Sequence, residues 1–141
     1  MKYHKHFQNI NEYTVKRSQY MIDGWRQKTE QQKWNAIHLW NIMVSVDRGM
    51  ECPTIRHNPS AGYGYYIPAR NEIHMSKPSI VTLFHEFRHA MQHQQKAGNW
   101  QDEEKDARGW SLSLYFKIAP RTLKRLVAQE KVLHMTIADF E

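Results

Sequence analysis

An α+β domain is what the sequence predicts, and three observations predict it. Residues 29–49 and 79–95 place apolar side chains at helical spacing. Residues 52–75 break that spacing with prolines and glycines around short β-branched and aromatic segments, and helical spacing returns from residue 99 onward. At 141 residues the chain can build one hydrophobic core and not two, so one domain over residues 1–141 is expected. The implied layout is a backing helix, a small, mostly antiparallel sheet, a motif-bearing helix and C-terminal helices.

Residues 1–28 form a basic, poorly defined segment: Ile10, Tyr13, Val15, Tyr20, Met21, Ile22 and Trp25 are too apolar for a plain tail but follow neither period. Thr29 opens a helix. Thr29 with Gln32 three residues on is a capping-box pattern, Trp34, Ile37, Trp40, Asn41 and Val44 share one face, and Gly49 is a stop. His38 on this helix reads as a packed or half-exposed core histidine. Strands are expected near Thr54–His57, Tyr63–Ile67 and Glu72–Met75, with residues 68–71 turning the last two into a hairpin. Gly62 and Gly64 mark a bulge or tight bend, and Tyr63, Tyr65 and Tyr66 read mainly as packing.

Ser79 caps the next helix, which is expected to end at Gly98 and Asn99. At about 100° per residue Ile80, Leu83, Phe84, Phe87 and Met91 line one face, and Thr82, His85, Glu86, His89 and His93 the other. A following helix, with Asn99 as its cap, carries Asp102, Glu103 and Glu104 in the first turn, where carboxylates suit the helix dipole, and runs to Ile118. Ala119 and Pro120 end it and begin another, with Leu123, Leu126, Val127 and Leu133 at helical spacing.

His85, Glu86 and His89 form a His-Glu-x-x-His motif. Two histidines four residues apart lie one turn apart on the same side, so both imidazoles can reach one ion at about 2.0–2.1 Å. A zinc ion lowers the pKa of its bound water to roughly 7, and Glu86 beside it can take the proton. His93, a further turn along, reads as solvated. A third ligand must come from elsewhere, and Glu103, Glu104 and Asp106 all qualify. A strictly antiparallel hairpin centred on residues 98–99 would put Asp106 and Arg108 nearer the level of His89 than Glu104.

Composition narrows the function classes. Hydrophobic residues at 40% and aromatics at 12% describe a folded chain. Neither a long apolar run nor a signal-type N-terminus is present, so no membrane contact is expected. Cys52 is the one cysteine, which excludes an intrachain disulfide and a cysteine-rich zinc site and points to a reducing cytoplasm. The net charge of +6 is concentrated in residues 1–33, with seven Lys/Arg against three Asp/Glu. Such a segment gives a second hypothesis: a non-catalytic, zinc-containing protein binding nucleic acid or an acidic partner. A monomer is favoured over an oligomer.

The run from Thr82 to Gln92, followed by Glu104 and Ala107, resembles the gluzincin metallopeptidases, in particular compact ImmA/IrrE-type proteins and minimal gluzincins. The resemblance covers roughly residues 50–115 and implies a zincin-like fold. It implies His85, His89 and Glu104 as zinc ligands, Glu104 because a ligand Glu stands three residues before a small Ala, here Ala107. Residues 71–75 are similar to the edge strand that pairs with extended substrate in that group. The metzincin motif, by contrast, would need Gly and His where this chain has Gln92 and Gln95, and a late third histidine could only be His134. The expected activity is zinc-dependent hydrolysis of a peptide bond in a protein or peptide, with Glu86 as base. Arg108, His74 or a tyrosine of residues 63–66 would steady the developing oxyanion.

Overall fold

The structure, a computed structural model, describes residues 10–129. Within them the order is α1 (Glu12–Ile22), α2 (Glu30–Asp47), β1 (Thr54–His57), β2 (Tyr65–Ile67), β3 (Glu72–Met75), α3 (Ile80–His93), α4 (Glu103–Ile118) and α5 (Pro120–Ala128). The α+β class stands. None of these helices is long and apolar enough to cross a membrane.

The segment that showed no period contains α1. Asn11 caps it, accepting from the Thr14 N–H at 2.8 Å, and Ile10 and Val15 flank the cap as buried residues in staple positions. Half of its inward face is polar, which hides the helical period. Ser18 donates to the Thr14 carbonyl at 2.7 Å and accepts from the Trp40 indole at 2.8 Å, so a buried hydroxyl satisfies a buried N–H of α2.

The α2 capping box forms in both directions: Gln32 N–H to Thr29 Oγ1 at 3.1 Å and Thr29 N–H to Gln32 Oε1 at 2.8 Å. Its stripe of Trp34, Ile37, Trp40, Asn41 and Val44 is buried, and Gly49 follows at φ +64°. Trp40 meets Phe87 edge-on at 4.8 Å between ring centroids and Phe84 at 5.3 Å, which makes α2 the backing helix of α3. His38, however, is exposed, with its ring 6.4 Å from Trp34.

The sheet departs from expectation in its order. It runs β1-β3-β2, with β1 parallel and β2 antiparallel to β3, so it is mixed rather than mostly antiparallel. Residues 68–71 do turn β2 into β3, through a 3-10 turn and Asn71 at φ 51°. The first strand then joins the far side of β3, which leaves β3 in the centre with both edges paired. It is therefore not the edge strand expected of residues 71–75, and β1 and β2 are the edges. Ile73 and Met75 point into the core, whereas Glu72 and His74 occupy the opposite face.

Ser79 caps α3 by accepting from the Thr82 N–H at 3.3 Å, and all five residues of its predicted apolar face are buried. The helix stops at His93, earlier than predicted, and Gln95 and Gly98 lie in the loop at φ 60° and φ +69°. Asp102 rather than Asn99 caps α4, accepting from the Lys105 N–H at 3.0 Å. Ala119 and Pro120 divide α4 from α5 as expected, and Leu123 and Val127 are buried. Leu133 and His134 lie outside the described residues.

Candidate metal centre

The histidines of α3 face the start of α4. Their ring centroids are 4.9 Å apart, with His85 Nε2 3.1 Å from Glu104 Oε2 and His89 Nε2 2.9 Å from Glu104 Oε1. One ligand atom from each of His85, His89 and Glu104 falls within 4.8 Å of the others. Ala90 on α3 and Ala107 on α4 are both fully buried.

The connection explains the choice among the acidic residues. It is an open loop over residues 94–102, not a tight turn at 98–99, so α4 begins again near the level of His89. Asp106 is occupied elsewhere: its oxygens accept from Arg88 Nε and Nη2 at 2.8 and 3.1 Å and from Gln92 at 2.8 Å. Glu103 lies 3.4 Å from Nδ1 of His89, not from the nitrogen that faces Glu104. Of the three candidates, Glu104 is the one that meets both histidines.

Glu86 is 6% exposed, and its Oε2 has no hydrogen-bond partner among the described residues. Burial pushes its carboxyl up to about 7, with His89 opposing and Glu104 assisting the shift. Burial also lowers His85, helped by the charges of His89 and Arg108 against the raising effect of Glu104. That favours a neutral imidazole, the form that can donate a lone pair. His85, His89 and Glu104 together could hold a metal ion, with the buried Glu86 carboxyl beside them.

These residues border a cavity of about 700 Å³. The β2 region supplies Tyr63, Tyr65 and Tyr66, and α4 supplies Arg108, Ser111 and Leu112. Gly64 lets this wall close on α3: at φ +128°, a Cβ there would come within 2.6 Å of Thr82 Cγ2 and 2.9 Å of the His74 carbonyl. Tyr63, at 79% exposed, is not packing. Tyr66 is half-buried, with its hydroxyl donating to Asn71 at 2.7 Å.

His74 stays outside the cavity lining. It bonds Glu72 at 3.0 Å and Asn58 at 3.2 Å and stacks on Tyr65. His93 is exposed and apart from the cluster, as expected. Sequence reasoning did not pick out Arg88 and Gln92 as part of the site. Their signal was polar residues on the side of the motif helix that the apolar stripe leaves facing α4.

No family model matches the chain, and neither a curated protein nor a solved structure matches it.

Proposed function

We propose that this chain is a zinc-dependent metallopeptidase of gluzincin-like type, with a zincin-like domain. The observation that carries the reading is the meeting of His85, His89 and Glu104 beside Glu86, a buried carboxylate with an oxygen unpartnered among the described residues. His85, His89 and Glu104 would hold the ion. When bound, zinc supplies a Lewis acid that polarises a carbonyl and acidifies water.

The chain's own residues supply the rest. Glu86, shifted to about 7, accepts a proton from the attacking water near neutral pH and returns it to the leaving amine. Arg108, on the cavity wall one turn beyond Glu104, donates to negative charge that develops on the substrate oxygen. The substrate is an extended peptide, and the strand suited to pair with it is β2, which borders the cavity, since β3 is paired on both sides. A structural metal site has no use for a desolvated base. That favours an enzyme over a binding protein acting through the basic N-terminal segment. A single free cysteine suits a cytoplasmic setting.

Elemental analysis of protein purified without chelator tests the metal. About one zinc per chain is expected, with loss of that zinc in His85→Ala. Substoichiometric metal that His85→Ala leaves unchanged would refute the reading.

A further inference from the structure

Gln92 lies one turn beyond His89 on the buried side of α3, and its amide has one workable orientation. Its Nε2 donates to the Glu103 carbonyl at 2.9 Å and to Asp106 Oδ2 at 2.8 Å. Both partners are acceptors, and Arg88, 4% exposed, fixes the second of them by donating to both oxygens of Asp106. A flipped amide would press Oε1 against two acceptors. Oε1 therefore faces Nδ1 of His89, 2.8 Å away. An amide oxygen only accepts, so this contact is a hydrogen bond when Nδ1 carries the hydrogen. In the neutral ring the lone pair is then on Nε2, 2.9 Å from Glu104 Oε1, an acceptor that competes for the hydrogen at that nitrogen when no cation lies between them.

We infer that Gln92, oriented by Asp106 and Arg88, is a positioning residue that fixes the proton of His89 on Nδ1 and so presents Nε2 to a metal ion in advance. This rests on reading His85, His89 and Glu104 as ligands. A free neutral imidazole shares its hydrogen between both nitrogens, and a ring with the hydrogen on Nε2 offers the site no lone pair. The same amide holds the Glu103 carbonyl, so it also ties the turn bearing Glu104 to α3. Glu103 Oε1 is a weaker claimant on Nδ1, at 3.4 Å on a side chain that is 58% exposed.

The test uses the full chain, labelled with nitrogen-15, stripped of metal and held at a pH of about 8.5, above the ordinary imidazole range. Long-range proton–nitrogen correlation spectra report the tautomer of each histidine, and the His89 signal is identified by its loss in His89→Asn. Zinc affinity is measured in parallel by competition with a chromogenic chelator. Wild type and Glu103→Gln should both show the hydrogen on Nδ1. Gln92→Met should show a mixture of tautomers and bind zinc about 10–100-fold more weakly. A wild-type His89 with its hydrogen on Nε2 would overturn the inference, as would a tautomer that follows Glu103→Gln instead of Gln92→Met. If the wild type shows the Nδ1 tautomer but binds no zinc, the positioning role stands and the ligand assignment falls.

Discussion

The contact between α3 and α4 has two sides that satisfy their polar groups very differently. On one side Arg88, Gln92 and Asp106 match donors to acceptors: Asp106 accepts three bonds, and Arg88 also donates to the Ala97 carbonyl at 2.9 Å and lies 5.5 Å over the Trp110 ring. On the other side His85, Glu86, His89 and Glu104 gather lone pairs around a shared space, and Glu86 keeps a buried oxygen without a partner among the described residues. An unsatisfied buried polar group costs about 1–3 kcal/mol, so such a cluster persists only where its surroundings hold it. The satisfied side is that support. It ties the two helices together, and on the proposed reading the other side is where a metal ion would bind.

Glu86→Gln gives the largest expected effect, because it acts on the unsatisfied side alone. The amide keeps the shape but cannot take a proton, so turnover should fall by about 10²–10⁴ while zinc content and the melting temperature of the zinc-loaded protein hold. Cleavage of a peptide library, read by mass spectrometry, measures this. Undiminished cleavage by a folded, zinc-loaded variant would remove Glu86 from the chemistry.

The unsatisfied side was the more legible one in the sequence. His85, Glu86 and His89 are spaced by the helix itself, and the opposing stripe from Ile80 to Met91 fixed which way they face. The α2 capping box and the three strand segments were readable for the same reason, since each depends on residues close in the chain. The satisfied side was not readable. Asp106 meets Arg88 only because an open loop sets the register of α4, and no local pattern encodes that loop's path. Sheet order failed likewise, because β1 joins β3 across an intervening strand. The α1 helix was hidden by Thr14 and Ser18, whose burial depends on the Trp40 indole of another helix.

Opposite substitutions on α4 should separate the two sides next. Asp106→Ala leaves Arg88, with a side chain 5% exposed, without its charge partner. Breaking a buried pair in this way costs about 3–5 kcal/mol, which in a domain of this size lowers the melting temperature by roughly 10 °C. Glu104→Gln, on a side chain that is 63% exposed, should barely move the melting temperature of metal-free protein and should weaken zinc retention strongly. Thermal melts and chelator competition on both variants measure the contrast. If Asp106→Ala spares stability and Glu104→Gln lowers it, the roles assigned to the two sides are reversed.

The smallest effect is a pH dependence that belongs to Glu86. Its carboxyl is raised from 4.5 to about 7, so the folded state holds the proton more tightly than the unfolded chain does. The stability this contributes is fully present below about 4.5 and is lost as pH rises through about 7, a change on the order of 3 kcal/mol. His85 runs the other way. It is lowered from 6.5, so the unfolded chain takes up its proton first, and stability falls as pH drops below the ordinary imidazole value. The two slopes oppose each other in the wild type, and the measurement must be a difference. Urea unfolding of metal-free wild type and Glu86→Gln, from pH about 4.5 to 8, should show the wild type losing ground to the variant as pH rises. Zinc should suppress that loss, because a nearby cation favours the ionised carboxylate. A difference that stays flat with pH would mean that Glu86 ionises in place as readily as in water, and the desolvation that distinguishes this side of the helix pair would be gone.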